Sequence, residues 1–443
     1  MTGRRPPAPR LGRALDDLVA ATPADRSRAV DLVRVVALGA VVLGHWLKQG
    51  WYVDTAGGLH RAGLLGIAPW THPLTWFFQV IPVFFVVGGF ANARSWRSAR
   101  GRGVSYGAWL AGRTERLTRP VVPLLVFWLV VTPLAPLAGL GDDWLRIASV
   151  TSLVPTWFLA TYVVIVALTP LTLGAWDRWG ARAALVGVAG AGLVDLVSIR
   201  AESTAIGAVN LVLVYGTLET VGIAWADGWF SDRRRAAACS LAGLGVTMLL
   251  VWLGPYGMSM VGVSGHGLNN TYPPRATVLF LGLFLACGAI AVEPWLSAAV
   301  SAPRRWRAVV TVEGRLMTVY LWHLTALGVL GAAALATGGF GLTAYPDTRE
   351  WWLLRPAWLL AMAATTVVLT ALVGRWEDPT ARRAASRTPA ALPLLEVAVA
   401  CGGLGYLASE GMTRGATSWG VAAGTAAGLL VLDRVLCRRA DPA

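Results

Sequence analysis

The sequence predicts an all-α, polytopic transmembrane helix bundle of about 12 spans, with the N and C termini cytoplasmic. Three observations predict it. The chain is 56% hydrophobic and only 14% charged, more apolar surface than a soluble protein of 443 residues has use for. Apolar runs long enough to cross a bilayer recur near 30–50, 73–92, 120–138, 156–173, 183–198, 205–226, 236–254, 276–292, 308–337, 352–374, 390–408 and 416–436. The gaps between them alternate between arginine-rich and arginine-poor, the charge bias that sets orientation in a membrane.

Residues 1–27 are polar and rich in Pro and Arg and lack an apolar signal core, so they are expected to be a cytoplasmic tail. Even-numbered gaps hold Arg94, Arg97, Arg100, Arg102, Arg113, Arg116 and Arg119, then Arg178 and Arg182, Arg233 to Arg235, Arg304, Arg305 and Arg307, and Arg375, Arg382, Arg383 and Arg387. Odd-numbered gaps hold few, as in Asp142, Asp143 and Arg146, or Asp347, Arg349 and Glu350. Within the second gap, Tyr106, Trp109 and Leu110 fall at helical spacing opposite arginines, predicting a short amphipathic helix along the inner face. Twenty-two tryptophans suit helix ends anchored at headgroups. The net charge of +14 lies in short clusters between spans, not on a folded basic face, so no nucleic-acid partner is expected. Cys239, Cys287, Cys401 and Cys437 are scattered through apolar runs without metal-ligand or disulfide-framework spacing, and no metal is expected.

The first span carries chemistry. Arg34 and His45 are 11 residues apart, so they share one helix face to within roughly 20° and are separated by about 16 Å along the axis. Asp31 lies one turn before Arg34. An ionisable residue at depth faces a protein-lined cavity more readily than lipid. The plain alternative makes Asp31 and Arg34 boundary charges and His45 an interfacial residue beside Trp46 and Lys48, but it leaves the shared stripe unexplained. Further along, the second span ends QVIPVFFVVGGFANARSW (79–96), the amphipathic stretch contains RTERLTRP (113–120), the fourth span opens PTWFLATYV (155–163) and the ninth contains GRLMTVYLWH (314–323).

In this order, these elements resemble the acyltransferase-3 family of integral-membrane acyltransferases. The family's Arg-x10-His element matches at Arg34 and His45, its FF-x-x-(S)G-F/Y element at Phe84, Phe85, Gly89 and Phe90, its Arg-x-x-Arg element at Arg113 and Arg116 or at Arg116 and Arg119, and its Tyr-Leu-x-His element at Tyr320 and His323. Each is weak alone; four in order are specific. One departure stands out: the family's frequent serine before Gly89 is Gly88 here. The resemblance implies a ten-helix core over residues 28–380; the last two apolar runs, with a short cytoplasmic tail, lie outside it in 381–443.

What the resemblance implies is transfer of an acyl group, most often acetyl, from cytoplasmic acyl-CoA to a hydroxyl of an envelope glycan, glycolipid or related sugar, by an enzyme of the bacterial cytoplasmic membrane in contact with lipid. Acyl-CoA is then a donor substrate and no cofactor is held permanently. Arginines suit its phosphates, because a guanidinium binds phosphate through charge-assisted, often bidentate contacts. Arg34, Arg113, Arg116 and Arg119 are the expected donor-binding set. His45 is the expected base or acyl carrier. His323 is expected to orient substrate or relay protons, with a hydrogen-bonded core histidine as its plain alternative. Asp31, Trp157 and Tyr320 are substrate-binding candidates, Trp157 at an outer mouth where sugar stacking competes with interfacial anchoring. Asp195, Asn210 and Glu219 are expected to face the bundle interior, and an outer loop holding His266 is a candidate for shaping the acceptor site, with ordinary loop chemistry as its plain alternative. The competing plan is a twelve-helix secondary transporter, against which the chain shows neither matching halves nor a long central linker.

Overall fold

The computed structural model describes residues 27–263, 268–377 and 388–438. The tail of 1–26, His266, Arg382, Arg383 and Arg387 lie outside the described residues. Among the described residues, 11 helices are long and apolar enough to cross a membrane, or up to 12 when Ala276–Ala291 and Glu293–Ala299, bent by 62°, count as one span. The bend falls where Pro294 occupies the first turn of the second piece, since proline cannot continue a helical hydrogen-bond ladder.

The first helix, α1 (Arg28–Lys48), is defined at both ends. The Ser27 hydroxyl accepts from the Val30 N–H, and Asp31 in the first turn complements the helix dipole. At its far end Arg355 donates to the carbonyls of Trp46, Leu47 and Gln49, neutralising orphan acceptors. There the chain turns into a two-stranded antiparallel hairpin, β1 (Gln49–Val53) and β2 (Leu59–Gly63), with Trp51 opposite Arg61. The sequence reading contained no strands.

Helix α2 (Ile81–Gly101) crosses α3 (Asn210–Ala226) at backbone contact: a Cβ on Gly89 would lie 2.1 Å from the Glu219 carbonyl oxygen, and one on Gly222 would lie 1.9 Å from that of Val86. Small residues at a crossing let two spans approach closely in lipid. Here they bring Asn92 and Glu219 within one polar cluster.

The arginine-bearing stretch is helical (Tyr106–Thr118) with Ser105 as its N-cap. It is not merely laid on a surface, because Trp109 and Leu110 are buried. Its Thr114 and Thr118 hydroxyls both donate to Glu396, at 2.8 Å each, on helix Ala391–Glu410. The two C-terminal helices thus brace the arginine helix from behind.

Candidate active site

Two histidines 278 residues apart meet between α1 and α4 (Leu316–Ala336). His45 Nδ1 lies 2.9 Å from His323 Nε2, and the rings are nearly parallel at 8°. His323 Nδ1 is 2.6 Å from the Tyr320 carbonyl oxygen, which only accepts, so Nδ1 carries the proton. His323 Nε2 must then accept, and His45 Nδ1 donates to it. The nitrogen left with a free lone pair is His45 Nε2. His323 is fully buried, whereas His45 keeps accessible surface. The Trp46 indole donates to the His323 carbonyl at 2.9 Å, pinning the two helices at this level.

Three turns along α1, Arg34 forms an ion pair with Glu313, which ends the helix Pro303–Glu313. Arg113 donates to Asn92 Oδ1, and the Asn92 amide donates to Glu219 at 3.3 Å. Glu219 also accepts from the hydroxyls of Thr169 (2.6 Å) and Thr172 (2.8 Å). These contacts satisfy the hydrogen-bonding capacity of a fully buried carboxyl group. Arg34 and Arg116 both act electrostatically on Arg113. Arg119 turns away toward Glu115, at 4.0 Å. By the rise of α1, this cationic level is about 16 Å from the histidine pair.

A family model described as an acyltransferase domain matches residues 27–375. The chain belongs to the acyltransferase-3 family. It is a multi-pass membrane protein carrying that family's domain over most of its length. Among curated proteins, the chain is 26% identical over 275 residues to the probable nitrate/nitrite transporter NarK2 of Mycobacterium tuberculosis, in two strains, covering 56% of this chain and 66% of that protein. The chain thus spans just under two thirds of the length of that relative. No solved structure matches.

Between its two levels the chain places a column of aromatic rings. Tyr162 stacks on Phe158 (centroids 5.5 Å), Phe158 meets Tyr320 (5.4 Å), and Tyr320 lies 6.1 Å from His323. Phe85 of the family motif packs on Phe158 and Tyr162 and stacks on Tyr215 at 4.1 Å. The family's missing serine has a physical counterpart: a Cβ on Gly88 would lie 2.5 Å from the Tyr162 hydroxyl oxygen. A side chain at 88 and this tyrosine exclude one another.

The remaining candidates sort by contact. The Tyr320 hydroxyl donates to the Pro155 carbonyl at 2.9 Å, so the part of Tyr320 available to substrate is its ring. Trp157 is half-buried, edge-on to Phe158. Asp31 is buried in the first turn of α1, one turn from Arg34 on the side away from His45. Asp195 and Asn210 belong elsewhere. Asp195 accepts from Asn210 (3.0 Å), Tyr256 (3.1 Å), the Ala276 N–H (2.6 Å) and Arg275 (3.2 Å), a clamp that ties helix ends together. Sequence reasoning missed Glu313 and Tyr162. A carboxylate at a helix end and a tyrosine in an apolar run carry no pattern of their own.

Proposed function

We propose that this enzyme moves an acetyl group from cytoplasmic acetyl-CoA to a hydroxyl of a sugar-containing envelope acceptor on the outer side of the bacterial cytoplasmic membrane. The observation that carries the reading is the histidine pair, held in a defined tautomer at the far end of the helix face that begins with Arg34. The donor's phosphates bind at Arg34, Arg113 and Arg116, and its flexible arm runs along the aromatic column. His45 Nε2 takes the proton from the acceptor hydroxyl as its oxygen attacks the thioester carbonyl. The C–O bond forms and the C–S bond breaks. The departing thiolate receives the proton from His45, leaving an ester and free coenzyme A. His323 keeps Nε2 of His45 unprotonated before the step and accepts a stronger hydrogen bond while His45 is charged.

Acyl-group size and acceptor identity are read directly by mass spectrometry of envelope glycans and lipids from cells with and without this protein. The reading predicts a species lighter by one acetyl in the cells without it. Identical profiles contradict it. The likeness to NarK2 motivates the second reading, a transporter, and nitrate uptake measured in the same cells tests that.

A further inference from the structure

Beyond residue 375, where the family domain ends, helix Ala391–Glu410 places an acid against the arginine helix Tyr106–Thr118. Glu396 is 1% exposed. Its two carboxyl oxygens each accept from a threonine hydroxyl at 2.8 Å, Oε2 from Thr114 and Oε1 from Thr118. The plain account is that the acid satisfies two buried hydroxyls. Those hydroxyls do not need it. Thr114 Oγ1 also lies 3.2 Å from the Ala111 carbonyl oxygen and Thr118 Oγ1 lies 3.0 Å from that of Thr114, acceptors that a helical threonine reaches within its own helix. A carboxyl group within a span is costly, and an apolar side chain would pack there without that cost. What the acid adds is geometry. Threonines one turn apart, held by the two oxygens of one carboxyl group, fix the helix in rotation and along its axis at once.

The rest of the contact follows the same stripe. Gly107, Leu110, Thr114 and Thr118 lie within about 80° of one another around the helix. A Cβ on Gly107 would lie 2.2 Å from the Thr388 carbonyl oxygen, and the Ser105 hydroxyl donates to that same oxygen at 3.2 Å. Arg116 is exposed, about 160° round the helix from Thr114. Arg113 reaches Asn92 from the flank. Further along, helix Ala391–Glu410 is tied to helix Thr156–Trp179, where the Thr156 hydroxyl donates to the Leu404 carbonyl at 3.0 Å. Just past its end, the Ser149 hydroxyl accepts from the Met412 N–H at 2.9 Å and donates to the Met412 carbonyl at 3.0 Å. The C-terminal helix is thus a strut, anchored at one end and gripping the arginine helix at the other.

We infer that Glu396 is a positioning residue for the donor: through Thr114 and Thr118 it sets the register of the arginine helix, and with it where Arg113 and Arg116 meet the phosphates of acyl-CoA. The donor role of those arginines rests on the acyltransferase reading; the clamp does not. A buried polar group at a helix interface fixes register at some cost in stability. A guanidinium meets phosphate through a planar fork, so a helix turned out of register loses donor affinity while keeping its fold.

Three variants of the full-length protein separate this role from simple packing. Glu396→Gln keeps an acceptor for one threonine and a donor for the other. Glu396→Leu keeps bulk alone, and Thr114→Val with Thr118→Val removes the hydroxyls from the other side. Each is read by equilibrium binding of radiolabelled acetyl-CoA in detergent, by transfer in membranes at saturating donor, and by deuterium exchange of peptides covering 106–118. Glu396→Leu is expected to raise the acetyl-CoA Kd about tenfold, the loss of one aligned charge-assisted contact. Transfer at saturating donor should stay within about twofold of wild type, because ground-state binding alone is lost. Exchange in 106–118 should quicken. The valine pair should raise Kd as well, and adding Glu396→Leu to it should raise Kd no further, since both remove the same contacts. Glu396→Gln should bind donor as the wild type does. Unchanged Kd in Glu396→Leu, a further rise in the combined variant, or equal losses in Glu396→Gln and Glu396→Leu overturns the positioning role. Where Glu396→Leu does not fold, the valine pair carries the same measurement. Failure of the wild type to bind acetyl-CoA contradicts the donor reading, while exchange in 106–118 still decides the clamp, and unchanged exchange overturns it.

Discussion

Replacing His323 by Leu removes one acceptor from the pair and leaves a side chain of similar bulk in a fully buried position. In the resting protein the lost contact is a neutral hydrogen bond of 2.9 Å, worth about 0.5–1.5 kcal/mol. Once His45 has taken the acceptor's proton the same contact becomes charge-assisted, worth about 1.5–3 kcal/mol. Only the difference between the two, about 1–1.5 kcal/mol, raises the barrier, so kcat should fall by roughly 5- to 13-fold at one decade per 1.36 kcal/mol. The donor KM should stay constant, because the arginine level is about 16 Å away. His323→Gln, whose amide oxygen can accept from His45 Nδ1, should recover part of the loss. The assay is transfer from radiolabelled acetyl-CoA in membranes carrying each variant at saturating donor. Wild-type kcat in His323→Leu refutes the role of this hydrogen bond. Complete loss in His323→Leu together with substantial activity in a His45 variant moves the base to His323.

Arg116→Ala should weaken acetyl-CoA binding by about 1.5–3 kcal/mol, with incomplete rescue by Lys, which lacks the planar fork; unchanged affinity by equilibrium binding contradicts the clamp. Gly89→Ala forces a methyl to within 2.1 Å of the Glu219 carbonyl, so the melting temperature in detergent should fall, by overpacking of about 1–3 kcal/mol or more; an unchanged melting temperature contradicts the crossing. Reporter fusions after Asp143 and after Arg235 should report opposite sides of the membrane, and the same side from both contradicts the expected orientation.

Most of the bundle is legible because bilayer thickness imposes one length on every span. The exception is the run at 276–292, whose helix ends at Ala291 and resumes at an angle, because Pro294 follows too closely for a straight continuation. The hairpin after α1 escapes the same reading, since Gln49–Val53 and Leu59–Gly63 are too short and irregular to show a clean alternation. In the site, residue types are legible and pairings are not. Arg34 and His45 declare themselves by spacing on one helix, a local property. Nothing local tells that His45 touches His323, or that Glu313 answers Arg34, because both depend on how distant helices pack. Glu219 is visible as an acid within a span, whereas its tie to Arg113 through Asn92 exists only because Gly89 and Gly222 let two backbones meet.

The most direct test of the central claim is acetyl transfer by His45→Gln. Glutamine keeps hydrogen-bonding capacity and approximate size but cannot take a proton at the acceptor hydroxyl. Loss of general-base catalysis costs about 10²- to 10⁴-fold, and acetyl-CoA binding should stay at the wild-type level because Arg34, Arg113 and Arg116 are untouched. Transfer lowered by that factor with donor binding intact is the predicted result; near-normal transfer by His45→Gln contradicts the account.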